Sequence, residues 1–229
     1  MSVIEIKDLH FSYVEGEEIL KGLNFSIDER STAIIGQNGA GKTTFCKLLK
    51  GLLRPTGGLI LLNGENIKDL SVAALAKRIG MVFQNPNDQI FKYQVLDEVM
   101  FGPLQIGTDK DTAEKKAKEA LETVGLAGLE NVNPYDLGLS ARKLVAIASI
   151  LAMDTETILL DEPTIAQDYT GKERIKGIVR RLRDQGKTVI TITHDMNFVA
   201  DVFERTVVFA GGFLLRDDAT KTVFLQKDV

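Results

Sequence analysis

The run Gly36-Gln37-Asn38-Gly39-Ala40-Gly41-Lys42-Thr43, with Thr44 behind it, has the residue types and spacing to hold a phosphate. It fits G-x-x-x-x-G-K-[ST], the P-loop pattern. Its glycines let the backbone turn sharply and bring N–H groups close to an anion. Thr32-Ala33-Ile34-Ile35 before it reads as a buried strand. A helix starting near Lys42 aims the positive end of its dipole at the same anion. Lys42 adds a point charge for β- and γ-phosphates, and Thr43 a hydroxyl for Mg²⁺. An incidental glycine-rich turn is a poor account of so long a motif in this strand–loop–helix setting. Alone, the motif says only nucleoside triphosphate.

Other polar residues stand where apolar strands stop. Thr157-Ile158-Leu159-Leu160 ends in Asp161-Glu162. Two acids there are costly unless they face solvent or a cation. Beside a P-loop, Asp161 is expected to hold Mg²⁺, directly or through water, and Glu162 to act as general base on the attacking water. Ile79-Gly80-Met81-Val82-Phe83 leads to Gln84, whose amide can reach a metal or its water. Thr188-Val189-Ile190-Thr191-Ile192-Thr193 leads to His194, within reach of a γ-phosphate. A lone histidine is more often structural; the end of a buried strand favours the functional role. His10 is given none. Tyr13, just before the turn Glu15-Gly16-Glu17, either stacks on a purine or covers a sheet, and spacing alone favours the sheet.

The elements that must position these residues follow from periodicity. Residues 2–35 read as short alternating β runs, beginning with Met1-Ser2-Val3-Ile4-Glu5-Ile6-Lys7. A helix is expected over 42–53, a strand over 59–62, a helix over 71–78 and a strand over 79–83. Residues 85–153 are mainly helical, with helices at 94–101, 112–124 and up to about Met153, and no strand alternates in. Helix 112–124 is charge-rich, as a solvated face is. The α/β pattern resumes with strands at 157–160 and 188–193, a helix over 170–185, a helix from about Asp195, and a hairpin around Gly211-Gly212. In open α/β sheets, ligands sit outside the carboxyl ends of the strands.

At 229 residues the chain is long enough for one large domain. With 28 basic and 32 acidic residues the net charge is -4, which argues against a strongly basic nucleic-acid binder. The single cysteine, Cys46, allows no internal disulfide and reads as a packing residue. There is no apolar run of membrane-spanning length and no signal-peptide pattern, so any membrane-spanning part is expected from another chain.

Together, Walker A at 36–43, Gln84 followed by Asn85-Pro86, Ile158-Leu159-Leu160-Asp161-Glu162-Pro163-Thr164, and Thr193-His194-Asp195 resemble the nucleotide-binding domain of ABC transporters, in order and spacing. The resemblance covers nearly the whole chain. It implies a single domain over 1–229 of the P-loop NTPase class, α/β. The implied parts are a RecA-like core, an antiparallel β subdomain and an inserted helical subdomain at about 85–153. It also implies ATP and Mg²⁺ as ligands, ATP hydrolysis, and two such domains closing head-to-tail around two ATP molecules. By position, Tyr13 becomes the adenine-stacking aromatic, Gln84 the Q-loop residue, Asp161 the Walker B aspartate, Glu162 the catalytic carboxylate, His194 the switch histidine and Asp168 the D-loop aspartate. Gly36, Asn38, Gly39, Ala40, Gly41, Lys42, Thr43 and Thr44 bind nucleotide, with Thr43, Gln84 and Asp161 around the metal.

Val82-Phe83-Gln84-Asn85-Pro86-Asn87-Asp88-Gln89-Ile90-Phe91 and Val99-Met100-Phe101-Gly102-Pro103 look more narrowly like the ATPase subunits of energy-coupling factor (ECF) transporters. These import vitamins or transition-metal ions. That implies a peripheral place on the cytoplasmic face of the membrane. The implied partners are a T-type scaffold subunit, a substrate-binding membrane subunit and a second ATPase. A C-terminal segment that often helps hold such dimers is not apparent before Val229, so association without nucleotide does not follow from the resemblance. Soluble ABC-type ATPases usually carry coiled-coil insertions or two linked domains, and neither is seen here. A regulatory ATP-binding module with little turnover fits the altered signature described next; Glu162 and His194 weigh against complete inactivity.

The family signature, Leu-Ser-Gly-Gly-Gln at a helix start, registers on Leu137-Gly138-Leu139-Ser140-Ala141 when Val145-Ala146-Ile147-Ala148 is aligned. Only the leucine is kept. A register starting at Leu139-Ser140 needs a two-residue slip and still gives Ala141-Arg142. The signature serine and glycine N–H groups face the γ-phosphate bound by the other subunit, and Leu139 puts a bulky side chain there. The D-loop reads Ile165-Ala166-Gln167-Asp168 in place of Ser-Ala-Leu-Asp. A homodimer would lay this poor signature over both ATPs. The expectation is therefore a heterodimer with a standard-signature partner.

Overall fold

The computed structural model of the chain describes residues 3–225. Met1, Ser2 and 226–229, including the expected strand start at Met1, lie outside the described residues. Two sheets carry the fold. In the first, β1 (Ile4–Ser12) lies between β2 (Glu18–Ile27) and β4 (Gly57–Leu62), and β5 (Glu65–Asn66) extends it, all antiparallel. Ile4, Ile6, Leu9, Leu20, Leu23 and Ile60 point to one buried face, as alternation requires of a sheet with one wet side.

The second sheet has the order β10-β9-β3-β8-β7-β6. Strands β3 (Thr32–Gly36), β6 (Ile79–Val82), β7 (Thr157–Asp161), β8 (Thr188–Ile192) and β9 (Arg205–Ala210) run parallel, and β10 (Phe213–Ala219) closes one edge antiparallel. The parallel strands are covered on both faces, so they read as unbroken apolar runs. Alternate residues feed two cores. Ile34, Leu159, Ile190 and Phe209 join the core shared with the first sheet. Ala33, Ile35, Leu160, Val189 and Val208 join the core shared with the helices.

Helix α1 (Lys42–Leu49) lies in the first of these cores through Phe45, Cys46, Leu48 and Leu49. Phe25, Phe45 and Phe209 meet with ring centroids 5.5 to 6.0 Å apart, joining the first sheet, α1 and the second sheet. The helix ends four residues before the expected 53. Lys50 caps it and Gly51, at φ 71°, turns the chain left-handed. A short α2 (Val72–Arg78) feeds β6.

Between β6 and β7 the chain is helical. Helices α3 (Val95–Gln105), α4 (Lys110–Thr123) and α5 (Leu139–Met153) pack on each other through Val95, Val99, Ala113, Ala117, Leu121 and Val145. Helix α3 runs four residues past the expected 101, carrying Pro103 within it. Helix α6 (Tyr169–Asp184) follows β7, α7 (Met196–Val202) follows β8, and α8 (Thr220–Leu225), which periodicity did not suggest, follows the hairpin. Among the described residues, no helix is long and apolar enough to cross a membrane.

Candidate active site

The strand order β3-β8-β7-β6 sets four loops side by side at one sheet edge. They carry the P-loop, His194, Asp161-Glu162 and Gln84, in that order. Their side chains line one cleft of about 430 Å³, shared by Tyr13, Asn38, Gly39, Gly41, Lys42, Thr43, Thr44, Gln84, Asp161, Glu162 and His194. Residues up to about 180 positions apart in sequence therefore meet because parallel strands all end on the same side.

The P-loop is shaped by contacts only glycine permits. A Cβ on Gly36 would stand 2.1 Å from the Phe209 carbonyl oxygen, and one on Gly41 would meet Leu20 at 2.4 Å. Both have positive φ, at 148° and 94°. Lys42 Nζ donates to the carbonyls of Gly36 and Gln37, at 2.7 and 2.9 Å, so the ammonium folds back over the curve of the loop. Burial pulls its pKa down, while Glu162 and Asp161 oppose that shift. Ala40 is buried in the core shared with the first sheet and does not line the cleft. Tyr13 packs on the first sheet and also lines the cleft. Its ring packs edge-on against Phe11 at 4.9 Å, its hydroxyl lies 3.4 Å from Thr44 Oγ1, and more than half its surface stays open at the cleft mouth.

The two acids at the end of β7 differ. Asp161 is almost wholly buried, and its Oδ1 has no hydrogen-bond partner. An orphaned buried carboxylate oxygen is costly, and a hard cation is a ligand that suits it. Burial, then the neighbouring Glu162, push its pKa up to about 6. With the Thr43 hydroxyl and the Gln84 amide lining the same cleft, the residues fit Mg²⁺.

Glu162 is held at φ 46°, a left-handed conformation unusual outside glycine. Its N–H donates to the Ile192 carbonyl at 2.8 Å. Its carboxylate accepts from the His194 N–H at 3.3 Å and lies 3.4 Å from His194 Nε2. Strain of this kind concentrates at functional sites. His194 itself is half exposed and stands between β8 and α7. Asp195 fixes that junction by capping α7 at the Phe198 N–H and pairing with Lys172 at 2.7 Å.

The signature face differs in kind. Gly138 is the N-cap of α5, with no side chain to cap it. Helix α5 starts at Leu139, two residues after Leu137, where the first register of the family motif begins. Leu139 and Ile165 are each 45% exposed, in one groove with Gln84 and Pro86. The Ser140 hydroxyl donates to Gln167 Oε1 at 3.0 Å, and Gln167 Nε2 donates back to the Ser140 carbonyl at 3.2 Å. Asp168 caps α6 at the Gly171 N–H.

The sequence profile of the ABC transporter family matches residues 20–165. The chain belongs to the ABC transporter family. This ABC ATPase is 42% identical to the energy-coupling factor transporter ATP-binding protein EcfA of Methanocaldococcus jannaschii, over 98% of its own length and 81% of the relative's. It is 37% identical to the EcfA of Methanococcus maripaludis, over 100% and 83%. Among solved structures it matches cbiO1 of Clostridium perfringens, part of the ABC transporter complex cbiONQ. That match has TM-score 0.88 and 32% identity, and covers 98% and 91% of the two chains. The ATP-binding cassette MJ0796, solved as a dimer bound to ADP and Pi, matches at TM-score 0.86 and 29% identity, over 95% and 98%. The protein is an ATPase with the mixed α/β cassette fold of these relatives, and its family binds ATP, generally with Mg²⁺.

Several residues that hold the neighbouring loops in place were not singled out from sequence. Lys143 on α5 is fully buried and donates to main-chain carbonyls beside the cleft. Gln89 Oε1 accepts the Phe83 N–H at 3.0 Å, holding the end of β6. Glu98, also buried, accepts the N–H groups of Phe91 and Lys92 at 2.9 and 2.8 Å. Lys143 did carry a signal, as the last charge before the apolar run of α5. Gln89 and Glu98 carried none, because their partners depend on how a loop folds back.

Proposed function

We propose that this chain is an ATPase subunit of an ECF-type importer and works as one half of an asymmetric heterodimer. The observation that carries the asymmetry is the contrast between a complete Walker cleft and a signature helix that begins with uncapped Gly138 and exposed Leu139. The ECF reading is supported by the EcfA-named relatives.

In this reading the P-loop N–H groups and Lys42 hold the β- and γ-phosphates, and Tyr13 stacks on the adenine. Thr43, Gln84 and Asp161 hold Mg²⁺, which when bound neutralises charge on the phosphate oxygens. Glu162 takes the proton of the attacking water as its oxygen closes on the γ-phosphorus in line with the leaving β–γ bridge oxygen. His194 orients that water and the γ-phosphate, and is itself held by Glu162. The partner's signature residues complete this site from across the interface. The site that this chain completes for its partner is the weaker one.

The membrane contact falls after the Q-loop. Phe91 and Phe101 pack edge to face at 4.7 Å, and Lys92 Nζ lies 5.2 and 4.9 Å from their ring centroids. Exposed Tyr93 adjoins them. This aromatic platform, propped from beneath by Glu98, is the surface offered to a T-type scaffold subunit, with the substrate held by a further membrane subunit. The ATPase then sits peripherally on the cytoplasmic face. The transported vitamin or metal ion is chosen outside this chain.

The test is ATP turnover by the chain alone and by the complex purified from its native membrane, with Glu162→Gln as control. Low turnover alone, high turnover with a second ATPase subunit, and loss in the control support the reading. Full turnover alone, with no membrane protein co-purifying, overturns it.

A further inference from the structure

Lys143 is 1% exposed, one of the largest fully buried side chains in the protein. Its ammonium donates to the carbonyls of Phe83 and Gln84, both at 2.7 Å, and of Asp161 at 3.2 Å. A lysine has three N–H donors, and here each has its own acceptor. All three acceptors are main chain. They come from the loop after β6 and the last residue of β7, and the lysine comes from α5, so one side chain joins three separate stretches of chain.

Packing does not explain this residue. Its neighbours Leu144, Val145, Ala146 and Ile147 are buried and apolar, and an apolar side chain of similar volume would fill the site without a charge to desolvate. No carboxylate oxygen touches the ammonium; Asp161 and Glu162 act on it only through space, and burial pulls its pKa down to about 8. The charge is spent on fixing backbone. One turn earlier on the same helix face, Ser140 and Gln167 exchange hydrogen bonds, so the same end of α5 is also fastened to the D-loop.

We propose that Lys143 is a positioning residue that fastens the signature helix to the backbone of Gln84 and Asp161 and thereby fixes where those two side chains stand at the γ-phosphate. The inference rests on the roles given above to Gln84 and Asp161. It requires no assumption about the partner. A movement of α5 pulls directly on the Q-loop and on the end of β7, so the helical lobe and the reacting centre shift together. Without the ammonium, three main-chain carbonyls lose this donor, the buried Asp161 carbonyl among them.

The test compares Lys143→Met and Lys143→Gln with wild type in the purified complex, alongside amide exchange over 83–89 in the ATP-free full chain. Lys143→Met is expected to lower kcat about tenfold or more while KM for ATP changes less than about threefold, since misplaced reacting groups cost rate more than ground-state binding. Lys143→Gln, whose amide can still donate to two carbonyls, is expected to recover part of kcat. Exchange over 83–89 is expected to quicken in Lys143→Met. Unchanged exchange there overturns the proposal whatever the turnover, as does unchanged kcat with wild type active. Failure of both variants to fold also overturns it, making Lys143 a fold residue. Absence of turnover in wild type faults the functional reading instead, and exchange still decides the role of Lys143.

Discussion

The Walker face and the signature face are built on adjacent loops and to different standards. On the Walker face each polar group is prearranged. Lys42 is folded over the loop, Asp161 keeps an unpaired buried oxygen, and Glu162 is strained into contact with His194. On the signature face the helix starts on a glycine without a capping side chain. Leu139 there is exposed, at a position where the proposed signature role would need backbone to approach, and Ser140 is turned to Gln167 of its own chain. In the proposed heterodimer the first face serves the ATP this chain binds, and the second that of its partner. The two faces meet at Gln84 and Ile165, which line both the cleft and the groove beside Leu139, and at the buried struts of α5.

The largest effect that would break this comparison is at Glu162. Glu162→Gln should lower turnover by about two orders of magnitude or more and leave ATP affinity nearly unchanged, measured by phosphate release and equilibrium nucleotide binding. If the variant keeps turnover, the Walker face is not where the proton is taken.

Asp161→Asn should also abolish turnover, and with it comes a stability effect of defined sign. The native pKa of about 6 lies above the unfolded value of about 3.9. The folded state therefore binds this proton more tightly. The resulting stabilisation is full below about pH 4 and is lost as pH rises through about 6. Above that, the ionised carboxylate counts against the fold. Metal- and nucleotide-free Asp161→Asn should therefore melt higher than wild type at pH 7.5, by an amount on the order of 2 kcal/mol. The gap should close towards pH 5. Scanning calorimetry at the two pH values checks it. In wild type, Mg²⁺ affinity should fall as pH drops below about 6, since the proton and the cation compete for one carboxylate.

Rebuilding the signature should sharpen the contrast more gently. The combined Gly138→Ser, Leu139→Gly, Ser140→Gly and Ala141→Gln change should raise turnover at the partner's P-loop several-fold, read with this chain's own site silenced by Glu162→Gln. No gain would mean that the face is poor for reasons other than these side chains. The smallest effect is Gly138→Ser alone. Nothing lies within 4 Å of the Cβ it would add, and a serine cap should stabilise α5 by a few tenths of a kcal/mol, seen as a slight rise in Tm.

Much of this was legible in the chain. The P-loop, the acids after Leu160 and the histidine after Thr193 announce themselves, because each is a polar residue set against an apolar strand whose period the sequence displays. The apolar runs of β3, β7 and β8 also state that the sheet is covered on both faces. Boundaries were less legible. Helix α1 stops at Leu49 because Gly51 takes a left-handed turn that competes with the helical period, and α3 continues through Pro103, which sequence reasoning treats as a break. The strand β10 was expected as the second arm of the hairpin, while helix α8, which buries only Thr220 and Val223, carries a weak pattern.

What the sequence determined by itself is which groups are present and on which strand end or helix each sits, since local period and spacing are properties of the chain alone. The tertiary structure alone decided which of them meet. Strand order brings Gln84, Glu162 and His194 to one cleft, a close approach by β9 makes Gly36 obligatory, and the descent of α5 onto the main sheet sets a buried ammonium among three carbonyls. Those contacts join residues far apart in the chain, and their energies depend on burial, which only the packed fold creates.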